Sequence, residues 1–195
     1  MAIRAVIFDL DGTITQPLLD FDEIRRDIGL PIDAGPILEA LESADQSLKD
    51  RAAKVLAHHE ARAVELSTLN PGARETLERL RELGIKVGIL TRNLQENAYA
   101  VAERHHLVFD HVLGRENGPV KPDAYGILKL CKVFGVQPQE TLMVGDYLHD
   151  IQCGNAAGAT SVLLVNHARA HEFSCYAHLT IDKLPKILQI IEEHL

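Results

Sequence analysis

The chain has 195 residues, of which 28 are acidic and 20 basic, for a formal net charge of −8. At this length folding hides roughly 70% of the extended surface, enough for one full core and a small appendage; hydrophobic content of 46% with 25% charge excludes disorder. The acidic balance excludes a broad nucleic-acid or anionic-membrane face, which needs clustered Lys and Arg, but leaves room for one local phosphate site.

In chain order, Ile3 to Phe8 (IRAVIF) reads as a buried strand, too short and too soon followed by carboxylates to be a signal peptide. From Gln16 to Leu69 there is only helical periodicity (Ile37, Leu38, Leu41, Ala44, Leu48, Ala52, Val55, Leu56, Ala63, Leu66), which predicts two or three helices. Asn70 to Gly84 predicts a helix with Asn70 as cap, Pro71 at the first position, and Ala73, Leu77, Leu80 and Leu83 inward. Gly84 supplies its left-handed end. Strands follow at Ile85–Leu90, more weakly Phe109–Leu113, then Thr141–Val144 and Thr160–Val165, with helices near 93–106, 122–134, 148–157 and 183–194. In the last, Leu184, Ile187, Leu188 and Ile191 form the apolar face.

Continuous apolar strands separated by helices require a parallel sheet covered on both faces. The expected fold is therefore α/β, a doubly wound (Rossmann-like) parallel sheet with a small all-helical cap inserted after the first strand. The core domain takes 1–15 and 70–195, and the cap takes 16–69. The cap holds 11 acidic and 6 basic residues, so it contributes −5 of the −8. The best uncharged apolar stretch, Ala156 to Val165, falls far short of a bilayer span. Cys131, Cys153 and Cys175 are odd in number and not in CxxC pairs, as in a reducing, cytoplasmic compartment without a disulfide frame or zinc site.

The chemistry collects at the carboxyl ends of the strands, where open α/β sheets bind ligands. Asp9 and Asp11 alternate to one side at the end of the first strand. Two carboxylates there repel each other unless a cation or a shared proton compensates. Gly12 lets the backbone turn its N–H groups, with Thr13, towards an anion. Thr91 follows the second strand with Arg92 and Asn93 beside it, and Lys121 lies in VKPDAY, where Pro122 opens the next helix. Asp146 and Asp150 follow the strand LMV in GDYLHD, with Asp150 in the first turn of a helix. Each feature alone has a bland reading as a turn, a cap or a surface lysine; four of them at successive strand ends do not.

DLDGTIT, ILTRN, VKPDAY and GDYLHD, in that order and spacing, resemble the four motifs of the haloacid dehalogenase-like superfamily. The resemblance is to its phosphoglycolate phosphatase-like branch, with a helical cap after the first strand, and it covers the whole chain, including NPGARETLERLRELG and AAGATSVLL. It implies a phosphatase that hydrolyses a small phosphomonoester through an aspartyl phosphate. Asp9 is then the nucleophile, and Asp11 the acid for the leaving alcohol and then the base for water. The implied cofactor is Mg²⁺, held by Asp9, the backbone carbonyl of Asp11 and Asp146, with Asp150 a further ligand or anchor. Thr91, with Gly12, Thr13, Arg92 and Asn93, is implied in phosphoryl binding, and Lys121 offsets its charge. Four carboxylates and a phosphate of about −2 outweigh one lysine, so the metal is needed.

Asp11 argues for phosphoryl chemistry, because the dehalogenase branch lacks that acid. Two departures bear on substrate: Gln16-Pro17 stands where many members have an acidic or serine pair, and the cap is short. The implied partner is a small phosphorylated metabolite, with no nucleic acid and no membrane, in a monomer or homodimer. A phosphotransferase or phosphomutase of the same fold and a non-catalytic phospho-binding regulator remain the alternatives. Arg25 and Arg26 could bind a substrate carboxylate or phosphate tail or form a solvated helix face, and Tyr147 and His149 could line the entrance or simply pack. His58, His59, His105 and His106 sit on helical segments without acidic partners at metal spacing.

Overall fold

The computed structural model describes residues 2–192. Within them β1 (Ala5–Phe8), β2 (Lys86–Leu90), β3 (His111–Leu113), β4 (Thr141–Gly145), β5 (Thr160–Leu164) and β6 (Leu179–Ile181) form one parallel sheet in the order β3-β2-β1-β4-β5-β6. β1 and β4 are buried throughout, which is why they read as unbroken apolar runs rather than alternating ones. Ala5 and Ile7 face a core with Leu90, Met143, Ile127 and Leu130, so Val6 and Phe8 supply the opposite face. β6 was not expected from the sequence. It is three residues long at the sheet edge and only Ile181 is buried, so it lacks the apolar run that marks an inner strand.

The helices of this unit are α4 (Ala73–Glu82), α5 (Gln95–Arg104), α6 (Tyr125–Phe134), α7 (Leu148–Ala157) and α8 (Lys186–Glu192). Positions 193 and 194 of the expected last helix lie outside the described residues. α4 corrects two expectations. It starts at Ala73 after Gly72 rather than on an Asn70 cap, and Leu83 at its end is 36% exposed rather than inward. Gly72 occupies the left-handed region there, with φ +79°, and makes no side-chain cap bond. α6 likewise begins at Tyr125, not at Pro122.

After β1 the chain enters a helical insertion, a unit of its own over Leu18–Ser67. It contains α1 (Phe21–Ile28), α2 (Ile37–Glu42) and α3 (Gln46–Leu66). Asp20 caps α1 by accepting from the N–H groups of Asp22 and Glu23, and Asp45 caps α3 through Leu48 N–H. Ile24, Ile28, Ile37, Ala52 and Leu56 form its small core. Arg25 and Arg26 are engaged inside this unit: Arg25 donates to Gly35 O and pairs with Asp22, and Arg26 donates to Asp22 O. His59 does have an acidic partner, Asp27, at 2.7 Å, from a helix remote in sequence. No helix among the described residues is long and apolar enough to cross a membrane.

The two ends of the insertion are stitched together on the sheet unit. Thr15 bridges Leu69 in antiparallel fashion, and Gln16 N–H donates to Thr68 O. The strand order reverses between β1 and β4, where successive connections leave for opposite sides and open a crevice at the carboxyl ends.

Candidate active site

Asp9 follows β1 with its N–H still in the sheet, donating to Val144 O, and Asp146 follows β4 next to it. Asp150 stands in the first turn of α7, where its carboxylate accepts from Tyr147 N–H at 3.0 Å. A Cβ on Gly145 would overlap the Asp150 carboxyl, so that approach requires a glycine. One oxygen from each of Asp9, Asp146 and Asp150 falls within 4.8 Å of the others, and all three residues are buried.

Lys121, 2% exposed, reaches into this cluster. Its Nζ lies 2.5 Å from Asp9 Oδ1 and 2.7 Å from Asp150 Oδ1. The ammonium is buried, yet Asp150 and Asp9 outweigh that burial and hold it above its ordinary value. Burial pushes the carboxyls the other way. Asp9 is raised well above the usual range, against the pull of Lys121, and Asp146 is pushed up to about 7 by burial and then by the Asp150 charge. Three buried carboxylates share one ammonium, an excess of negative charge in a tight oxygen cage. A hard divalent cation fits that donor set, and Mg²⁺ binds through such carboxylates.

Asp11 points its carboxyl elsewhere, accepting from Asn93 Nδ2 at 3.1 Å, and burial raises it as well. Its side chain is not among the clustered oxygens. Gly12 turns the loop at φ +90°, a region L side chains avoid. A Cβ there would stand 2.8 Å from the Asp146 Cγ. Thr13 spends its hydroxyl on Asp146 Oδ1 at 3.2 Å.

Thr91 is buried at the end of β2, and its Oγ1 accepts from Asn93 N–H at 3.0 Å. Asn93 Oδ1 accepts from Leu94 N–H and Asn97 Nδ2, which fixes the amide so that Nδ2 serves Asp11. Arg92 sends Nη1 to Lys121 O at 2.5 Å, bracing the segment that carries the lysine. Tyr147 packs edge-on against Phe173 at 4.9 Å and near His149 at 5.4 Å.

Three residues around the site escaped the sequence reading. Asn70 donates to the carbonyls of Gly12, Thr13 and Thr15, Asn166 donates to Gly12 O at 2.6 Å, and His167 Nε2 lies 3.0 Å from Asp146 O. Asn166 and His167 follow β5, so the rule that singled out residues after the other strands pointed to them too. Asn70 had no such signal, because its position before Pro-Gly reads as a helix cap.

A family model described as haloacid dehalogenase-like hydrolase matches residues 16–164. A haloacid dehalogenase-like hydrolase domain-containing protein of Arabidopsis thaliana is 34% identical over 207 residues, covering 97% of this chain and 84% of the relative. A phosphoglycolate phosphatase of Chromobacterium violaceum is 29% identical over 218 residues, covering 97% of each. Among solved structures, a hydrolase from Pseudomonas syringae superposes with a TM-score of 0.81 at 21% identity, covering 97% of this chain and 98% of that one.

Proposed function

We propose that this chain, which belongs to the haloacid dehalogenase-like hydrolase family, is a Mg²⁺-dependent phosphatase acting on a small phosphomonoester through an aspartyl phosphate on Asp9. The observation that carries the reading is Lys121, buried between Asp9 and Asp150 beside Asp146 at the reversal of the sheet. A lysine held there neutralises part of an incoming phosphoryl group and fixes one oxygen of the nucleophile.

In the proposed reaction a carboxylate oxygen of Asp9 attacks phosphorus, and the bond from phosphorus to the ester oxygen breaks. Asp11, whose carboxyl is raised by burial and oriented by Asn93, gives its proton to the leaving alkoxide. Asp11 then takes a proton from water, whose oxygen attacks the same phosphorus and releases inorganic phosphate, restoring Asp9. The Thr91 hydroxyl and the Gly12 N–H receive the phosphoryl oxygens, while Arg92 braces Lys121 from behind. Asp9, Asp146 and Asp150, with the Asp11 carbonyl, are the residues that would hold Mg²⁺. When bound, the ion supplies the positive charge that two anionic partners need to approach.

The helical insertion, 16–69 in the division read from the sequence, is the proposed substrate-selecting domain. Phosphoglycolate is the first natural candidate, on the strength of the Chromobacterium relative. The test is release of inorganic phosphate from an aryl phosphate with added Mg²⁺. Chelator and Asp9→Asn are each expected to abolish it while the fold is kept; full turnover by Asp9→Asn overturns the nucleophile. Phosphate passed to a sugar hydroxyl instead of to water would reassign the chain as a phosphotransferase.

A further inference from the structure

We infer that Asn70, assisted by Asn166, is a positioning residue for the loop that carries Asp9 and Asp11. The inference rests on the phosphatase reading for its kinetic consequence, not for its effect on metal binding.

A single carboxamide nitrogen of Asn70 lies 2.8 Å from Gly12 O, 2.8 Å from Thr13 O and 3.0 Å from Thr15 O. Only the nitrogen can occupy that point, since the amide oxygen would there face three acceptors. The Asn70 backbone N–H donates in addition to Ile14 O at 2.9 Å. One residue therefore holds the carbonyls of four successive positions, 12 to 15. The loop's own N–H groups cannot do this: those of Thr13, Ile14 and Thr15 all turn back onto Leu10 O. From the other side Asn166 Nδ2 reaches the same Gly12 oxygen at 2.6 Å.

What this fixes is the contact between the loop and Asp146. Gly12 fits against the Asp146 carboxylate only because it lacks a Cβ, and Thr13 Oγ1 bonds Asp146 Oδ1. A shift of the loop by a few tenths of an ångström thus moves a carboxylate of the acidic cluster. Such supporting partners orient ligands that they never replace.

Both amides also border a cavity of about 400 Å³, lined further by Gln16, Pro17, Leu164 and Lys183. If the Asn70 amide is removed, water from that cavity can satisfy the freed carbonyls, but it cannot hold them in place. The signature is a loss of metal affinity and kcat with little loss of stability. A residue needed only for packing gives the reverse.

The experiment compares Asn70→Asp and Asn70→Ala in the full chain. Mg²⁺ affinity is read by calorimetry, kcat and KM on an aryl phosphate, and stability by urea unfolding. Asn70→Asp keeps the shape but turns an oxygen towards the three carbonyls. It is expected to weaken Mg²⁺ binding and lower kcat by about 10–100-fold, with KM little changed. Asn70→Ala moves both in the same direction. An Asp variant with wild-type Mg²⁺ affinity and kcat overturns the inference, as does damage confined to Ala or explained by the unfolded fraction. If Asn70→Asp does not fold, Asn166→Ala, on an exposed side chain, decides: unchanged affinity and kcat there overturn the inference. A wild-type chain that binds Mg²⁺ but turns over no phosphate ester sinks the phosphatase reading alone, and the affinity comparison still stands.

Discussion

Without metal, the protein is expected to lose stability as pH rises from about 4 to about 7. Burial, and then the Asp150 charge, lift the Asp146 carboxyl from 3.8 to about 7. Asp9 and Asp11 are raised too, each chiefly by burial. A carboxyl whose folded pKa exceeds its unfolded value binds its proton more tightly when folded. Stability therefore falls as pH climbs from the lower value through the higher one. For Asp146 the gap between 3.8 and about 7 corresponds to about 4 kcal/mol, at ~1.36 kcal/mol per pH unit. Neither Lys121 nor Asp110 offsets this slope. Lys121 is held above its ordinary value by Asp150 and Asp9 despite burial, so its contribution persists throughout the range. Asp110, held low by Lys86 and Val87 against partial burial, changes only at more acid pH.

The assay is urea unfolding followed by circular dichroism, since the chain has no tryptophan. In chelator the midpoint is expected to fall across the range, and Asp146→Asn should remove most of the slope. Mg²⁺ at a hundredfold excess over its Kd restores about 2.7 kcal/mol, most effectively at high pH, where the ligands are deprotonated. A midpoint that is flat or rising with pH in chelator refutes the reasoning, and so does an Asp146→Asn variant with the wild-type slope.

Lys121→Met leaves the Asp9 and Asp150 carboxylates buried without their shared cation, and should cost about 3–5 kcal/mol at neutral pH. At roughly 2–4 °C per kcal/mol the melting temperature drops by about 6–20 °C, and less at acid pH, where Asp9, raised chiefly by burial, takes up a proton. A change within a degree or two of wild type at neutral pH contradicts the pairing. Gly12→Ala forces an L side chain into the φ +90° turn, at about 1–2 kcal/mol, and drives its Cβ into Asp146. Calorimetry should then show Mg²⁺ affinity about 10–100-fold weaker in a folded protein; wild-type affinity would show that the loop and Asp146 move independently.

Much of this site was legible in the sequence. Buried parallel strands write themselves as short apolar runs, and residues just past each run must lie at one edge of the sheet, so Asp9, Thr91, Asp146 and Asp150 could be placed together before any contact was known. The same local logic failed where a residue's partner is distant in the chain. Asn70 stands before Pro-Gly and has the chemistry of a helix cap, but its amide serves a loop 55 to 58 positions earlier. Nor does that logic show that Thr13 Oγ1 bonds Asp146 and that Arg92 Nη1 bonds the Lys121 carbonyl.

The sequence by itself determined the α/β class, the helical insertion after β1, and which side chains reach the carboxyl edge, because periodicity and order along the chain report local burial. Only the tertiary structure decided which of those side chains meet. Lys121, 112 positions beyond Asp9, becomes its ion-pair partner because the segment between β3 and α6 brings it over the carboxyl edge where β1 ends, and that meeting is a property of tertiary packing rather than of any segment. The fold also decided where the negative charge acts. Of the net −8, the carboxylates that matter most are three buried ones facing a single lysine, an imbalance that a charge total spread over 195 residues cannot express.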